Sequence, residues 1–346
     1  MSERAVQERA PAAFPLPWHA ELVKQLQAAW QANRFPHALL LSGPQGLGKH
    51  VFASWLARAL LCETGTADLN PCGHCSGCKL VEAGSHPDLL NVEPQEGKQQ
   101  IAVDQLREAA EKLVMTAYRS GRKVVILDPA HQMSASAANS LLKTLEEPSP
   151  GSVLILLTSK PSALLATIRS RCLKVAMRRP ANTQALAWLA QAGGQPVTAQ
   201  LLEFAAGAPL RALTYAAGDF EKLDADMHDS LADLCAGKSD VTQVAGYWAR
   251  EMLPDRLTWL DIALTALARG EMGGSPELTR FPGRPLPLPT PAAALNITAL
   301  YALVDRVREL KALLERTALQ RELAVEVLLG DFITTFSASA VTSLNR

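Results

Sequence analysis

The chain has 346 residues, 48% hydrophobic and 20% charged, enough for two or three domains with buried cores. Lysine plus arginine and aspartate plus glutamate number 34 each, so the formal net charge is zero, which argues against non-specific nucleic-acid binding by the whole surface. Apolar runs such as Val153 to Leu157 are far too short to span a bilayer, and Glu3, Glu8 and Pro11 interrupt the stretch where a signal peptide needs a basic and then an apolar region; both point to a cytoplasmic chain without a membrane partner.

In chain order, Leu22, Leu26 and Trp30 recur every fourth residue and predict an amphipathic helix. Ala38 to Leu41 reads as a buried strand. It runs into Gly43-Pro44-Gln45-Gly46-Leu47-Gly48-Lys49-His50 and then a helix from Val51 to Leu61. A strand, a glycine loop and a helix N-terminus form the context of a phosphate loop, in which Gly43, Gly46 and Gly48 let backbone N–H groups approach phosphate and Lys49 supplies positive charge. The next position calls for Ser or Thr, whose hydroxyl binds Mg²⁺; His50 is a poor replacement, because Mg²⁺ prefers hard oxygen ligands.

Four of the six cysteines then fall between Cys62 and Cys78, which in a reducing compartment favours a metal over disulfides. Cys72-x-x-Cys75-x-x-Cys78 with Cys62 upstream has the spacing of a closed structural Zn²⁺ site. An iron–sulfur cluster competes, although no further Cys followed by Pro comes soon after Cys78, and His74 competes with Cys62 as the fourth ligand. Cys172 and Cys235 read as small buried hydrophobes.

Asp88 to Val92 predicts a second strand, Asp104 a helix cap for a segment reaching about Tyr118, and Lys123 to Leu127 a third strand. Asp128 follows at the position of a magnesium-linked aspartate. The next residue is Pro129, where hydrolysing enzymes carry a water-orienting glutamate, so two defects in two motifs predict lost hydrolysis. Ser134 to Glu147 predicts a helix stopped by Pro148, and Val153 to Leu157 and Cys172 to Ala176 predict the last strands. Strands alternating with helices predict a parallel sheet covered on both faces. Arg171, in Ser170-Arg171-Cys172 at the end of a short helix, is placed to reach a phosphate on a neighbouring subunit.

Beyond Pro180 the pattern is helical: Ala181 to Ala192, Thr198 to Ala206 and Pro209 to Ala217, then Pro254 to Arg269, Ala299 to Arg316 and Arg321 to Phe336. Pro276 to Pro291 holds six prolines and predicts a surface loop. Charge is segregated: Pro148 to Leu202 has no acid but carries Lys160, Arg169, Arg171, Lys174, Arg178 and Arg179, whereas Asp219 to Asp240 is acidic. Such segregation suits subunit docking, and two solvated faces account for it equally well.

The Cys72 to Cys78 knuckle, His86-Pro87-Asp88, Ala137 to Pro148 and Thr167-Ile168-Arg169-Ser170-Arg171-Cys172 together resemble the clamp-loader branch of the AAA+ ATPases, the loaders of bacterial DNA polymerase III. The resemblance covers the α/β part and, more loosely, the rest. It implies an α/β AAA+ P-loop domain over 1–178 with a zinc-binding insertion near 62–80, a small helical lid over 179–218 and an all-α collar over 219–346 that oligomerises. It implies assembly with the delta subunit and the gamma/tau ATPase subunits into a complex that loads a sliding clamp onto primed DNA, as a component of the DNA-directed DNA polymerase (nucleotidyltransferase) holoenzyme. In that family the Ser-Arg-Cys arginine, here Arg171, acts in trans on a neighbour's ATP, and Ser159 falls at the first sensor position. Arg211 lies near the second-sensor arginine but one position off. The resemblance leaves ATP or ADP at the loop open and does not require it. His50 and Pro129 favour the non-hydrolysing member of the complex. The alternatives are an ATP-hydrolysing gamma/tau-type motor and an unrelated DNA-binding zinc protein.

Overall fold

A computed structural model describes residues 15–64, 68–95, 98, 100–119, 121–192, 196–271, 286–287, 296–316 and 320–342. The chain forms two compact units, Met1–Val197 with Gly207–Leu213, and Thr198–Ala206 with Thr214–Arg346. The proline-rich stretch lies outside the described residues apart from Leu286 and Pro287. Among the described residues, no helix is long and apolar enough to cross a membrane.

The first unit is an α/β fold built on a five-stranded parallel sheet. Its strands are Ala38–Ser42 (β1), Leu89–Val92 (β2), Lys123–Leu127 (β3), Ser152–Thr158 (β4) and Leu173–Ala176 (β5), all parallel in the order β2-β3-β4-β1-β5. Successive side chains of a strand point to opposite faces, and here both faces are covered. Leu39, Leu41, Ile126 and Ile155 pack with Phe52 and Leu56 of helix Lys49–Leu60 (α2), which follows helix Ala20–Gln31 (α1). Leu40, Val125, Leu154 and Leu156 pack on the other side with Leu106 and Leu141. These last two come from helices Val103–Val114 (α4) and Ala135–Glu146 (α5), and Ser76–Glu82 is α3. Every residue of β4 is buried, which is why the central strands read as unbroken apolar runs.

Two sequence expectations shift. Helix α4 is capped by Ala102, not Asp104: Gln105 reaches back from the first turn and accepts a hydrogen bond from the Ala102 N–H at 3.0 Å, while Asp104 lies inside that turn. The helix also stops at Val114. The chain after it is fixed instead by Asp88, 4% exposed, whose carboxylate accepts from the N–H groups of Tyr118 at 2.9 Å and Arg119 at 3.2 Å.

The unit closes with short helices Ala166–Arg171 (α6) and Asn182–Gln191 (α7). Helix Ala199–Phe204 (α8) belongs to the second unit and Pro209–Thr214 (α9) to the first. The second unit continues with Phe220–Cys235 (α10), Val241–Arg250 (α11), Leu253–Glu271 (α12), Ile297–Arg316 (α13) and Arg321–Thr342 (α14), around buried Trp248, Trp259, Phe332 and Phe336. The acidic run on α10 is not one solvated face. Asp224 is buried and accepts from the Trp259 indole N–H at 2.9 Å, and Asp226 pairs with the buried Arg256 at 2.5 Å. A buried carboxylate deprived of a donor costs about 1–3 kcal/mol. Trp259→Phe is therefore expected to lower the urea midpoint of the chain by that free energy, while Trp259 replaced together with Asp224→Leu recovers part of it.

Candidate functional site

Because the strands are parallel, their C-terminal ends share one edge: Ser42 of β1 lies beside Thr158 of β4, and β3 ends two residues short of that row, leading into Asp128. The phosphate loop leaves β1 at this edge. Gly43, Gly46 and Gly48 all have positive φ, and Gly48 caps the N-terminus of α2. At Gly46, φ is 79° and a Cβ would stand 2.6 Å from the Arg211 Cβ, so only glycine fits. Lys49 is 2% exposed, and its Nζ donates to the Pro44 carbonyl at 2.8 Å.

The structure brings His50 onto Asp128. His50 Nδ1 lies 3.0 Å from Asp128 Oδ2, with side-chain exposures of 9% and 18%. A bond to a carboxylate oxygen puts the proton on Nδ1. Beside the pair, His131 Nδ1 is hydrogen-bonded to Thr158 Oγ1 at 3.1 Å, and the Lys160 N–H donates to the same Oγ1 at 3.0 Å. Burial lowers the His131 pKa, Lys160 and Lys49 lower it further, and Asp128 opposes them. Two lysines and one aspartate thus act on this histidine. Ser159 is half-buried just past β4. The hydroxyl facing the site at the strand end is Thr158, which the sequence reading passed over, as it did His131; the burial of every other residue along the strand was the available signal.

The loop is also tied from outside. The Trp18 indole N–H and His19 Nε2 both reach the Leu47 carbonyl at 2.9 Å, and the Leu210 N–H donates to the Gly46 carbonyl at 3.1 Å. Burial holds the His19 pKa down at about 4 against 6.5, with the Leu47 hydrogen bond opposing the shift. Between those two pH values the unfolded chain binds a proton that the folded one refuses. Folding stability therefore falls as pH drops from 6.5 to about 4, by about 3 kcal/mol for this group. In urea titrations at pH 7 and pH 4.5, His19→Asn is expected to lose visibly less stability on acidification than the parent chain.

The cysteines converge on the far side of α2. Their four sulfurs lie within 4.8 Å of one another, with Cys62 to Cys75 and Cys72 to Cys78 each 3.9 Å. A tetrahedral thiolate site with metal–sulfur bonds of about 2.3 Å has edges of about 3.8 Å, so the set fits a metal ion. His74 is turned away, its Nδ1 on the Cys72 carbonyl at 2.9 Å, which leaves Cys62 as the fourth donor. The knuckle supports its sulfurs: Cys72 Sγ accepts from the Cys75 N–H and Cys75 Sγ from the Cys78 N–H, both at 3.3 Å. A Cβ at residue 77 would stand 2.5 Å from the Leu61 carbonyl, which accounts for Gly77. A hydrogen bond with Thr64 leads in holding the Cys72 pKa at about 5, whereas burial pushes Cys78 up to about 12. A bound divalent metal would hold both as thiolates. Purified protein is expected to carry one metal per chain by elemental analysis, and Cys78→Ser to lose it together with about 5 °C or more of melting temperature.

Arg171 ends α6, 36% exposed at its side chain; its Nη1 donates to the Thr167 carbonyl at 3.0 Å and its Nη2 to Glu146 Oε1 at 2.6 Å. An exposed pair of this kind contributes about 1 kcal/mol or less, so the guanidinium can exchange partners cheaply.

The profile of a family described as DNA polymerase III, delta subunit, matches residues 18–181, a span holding the loop, the cysteines, Asp128 and Arg171. The chain is 39% identical over 246 residues to DNA polymerase III subunit delta′ of Pseudomonas aeruginosa, covering 70% of this chain and 74% of that one. It is 34% identical over 316 residues to subunit delta′ of Escherichia coli, covering 90% and 93%. The chain belongs to the DNA polymerase III subunit delta′ family. Similarity is not confined to delta′: subunit tau of Bacillus subtilis is 37% identical over 158 residues, 46% of this chain but 27% of tau.

Proposed function

We propose that this chain is the non-hydrolysing subunit of the clamp loader of DNA polymerase III. It assembles in the cytoplasm with delta and the gamma/tau ATPases, helps load the sliding clamp on primed DNA, and supplies Arg171 to a neighbour's ATP. The observation that carries the reading is the His50–Asp128 hydrogen bond at 3.0 Å. It engages the aspartate that a hydrolysing loop uses for Mg²⁺, at the position where that loop needs a hydroxyl. Pro129, next in sequence, has no group to orient a water. Membership of the delta′ family and the exposed placement of Arg171 support the rest.

In this reading the chain divides into an AAA+ domain over 1–178, a lid over 179–218 and a collar over 219–346. The four thiolates hold a structural Zn²⁺, whose closed tetrahedron offers no catalytic position. Ser159 or its neighbour Thr158 sits at the sensor position. Arg171 lets go of Glu146 on assembly and turns its planar fork to the partner's transferring phosphoryl group. A lysine ammonium, a point charge on a flexible stem, does not reproduce that contact. The tau-type alternative draws on the similarity to tau over 46% of the chain; His50 and Pro129 weigh against it.

The test combines the chain with delta and gamma/tau subunits. Arg171→Ala and Arg171→Lys should assemble normally and leave ATP binding intact, while turnover at the single adjacent site falls by roughly 10³-fold. Clamp loading should fall with it. The isolated chain should release no phosphate above the level of a Lys49→Ala control. An Arg171→Ala complex that loads clamps at the parental rate would overturn the finger assignment, and steady turnover by the isolated chain would favour the motor reading.

A further inference from the structure

The cysteine knuckle has a charged neighbour that the strand-end site does not use. Glu63 follows Cys62 directly, and its side chain lies against α3: a Cβ at Gly77 would stand 3.4 Å from Glu63 Cγ. Its Oε1 accepts from Arg119 Nη1 at 2.7 Å, across 56 residues of chain, with the two side chains 30% and 42% exposed. Thr64, the next residue, is hydrogen-bonded to the Cys62 sulfur at 3.2 Å. The turn that carries one end of this ion pair is thus the turn that carries a thiolate donor.

The other end of the pair belongs to the segment after α4. Val114, Met115 and Tyr118 there are 76%, 64% and 82% exposed, so apolar burial does little to hold the segment. Two acidic groups hold it instead. Asp88 accepts from the Tyr118 and Arg119 N–H groups. That residue is itself fixed from the sheet: the Val124 N–H of β3 donates to its carbonyl at 2.9 Å, and its own N–H donates to His86 Nδ1 at 3.0 Å. Glu63 is the second anchor, and it is mounted on the knuckle. Its position depends on the tie between Cys62 and the sulfurs of Cys72, Cys75 and Cys78. Leu61, Leu69 and Val81 pack into the core on their own account, so removal of an ion acts on this anchor and leaves the sheet in place.

We propose that a metal ion in the four-cysteine set braces residues 115–119 through the Glu63–Arg119 pair, so that metal occupancy sets how firmly Met115 and Tyr118 are presented to solvent. Glu63 is a positioning residue in this arrangement, not a ligand. The inference rests on metal occupancy of the cysteines and gives that ion a task beyond closing its own knuckle. An ion pair this exposed is a modest interaction, so the metal tunes local opening of the segment and not the fold of the unit.

Hydrogen–deuterium exchange of the full chain, read by mass spectrometry, decides it. Peptides covering 115–119 report the segment, and peptides covering 152–158 report β4. Metal is stripped with a chelator under reducing conditions, and its content is checked by elemental analysis. In the parent chain, stripping should speed exchange of the Tyr118 and Arg119 amides about two- to fivefold and leave β4 unchanged. Glu63→Ala should retain the metal and show that acceleration with the metal in place, and stripping it should add nothing further at the segment. The parent chain with and without metal decides the case if the variant fails to fold. Unchanged exchange of the segment after verified metal loss overturns the proposal. So does an acceleration that reaches β4 equally, or one that stripping still produces in full in Glu63→Ala. Purified protein without metal would instead sink the metal reading on which the inference rests.

Discussion

The parallel register of β1 with β4, and of β4 with β3, is the constraint on which the functional edge depends. Ser42 beside Thr158, and Leu127 beside Leu156, bring the loop after β1, Asp128 after β3 and the end of β4 to one place. Nothing local to any of these segments does so. The register is held by burial on both faces, because a slip of one residue would send Leu39 and Leu41 to the core now filled by Leu40, and every neighbouring strand would have to follow. At about 1.5–3 kcal/mol for each fully buried leucine or isoleucine, few alternatives compete.

Upon that edge, the site is governed by electrostatics more than by shape. Asp128 pairs with His50, and Asp128, Lys160 and Lys49 all act on His131. In a hydrolysing loop the aspartate answers to a metal; here it answers to His50. The proposed non-hydrolysing role rests on that exchange of partner. Arg171 shows the converse economy. Its partner in the free chain is an exposed glutamate on α5, a contact weak enough to be given up, and its anchor is the C-terminal end of α6.

The cysteine knuckle obeys a different rule. Its sulfurs are positioned by N–H donors within the knuckle and by the close approach of Gly77 to the Leu61 carbonyl. It is a local structure, and its ligand spacing was accordingly legible before any fold was known. The strands and most helices were legible for a related reason: apolar runs and four-residue repeats report burial directly. The boundaries that moved are those set by distant groups, such as the segment after Val114, fixed by Asp88 just before β2.

The amino-acid sequence by itself determined the α/β order, the cysteine set, the glycine loop with its lysine, the missing hydroxyl at His50 and the missing acid at Pro129. Each follows from residue type and short-range spacing. Only the tertiary structure decided that His50 would meet Asp128 across 78 residues of chain, that Thr158 and His131 join the site, that Trp18 and His19 grip the Leu47 carbonyl, and that Asp224 in an acidic run is buried. These are contacts between side chains far apart in sequence, chosen by how the sheet and its helices close over one another, and periodicity carries no record of them.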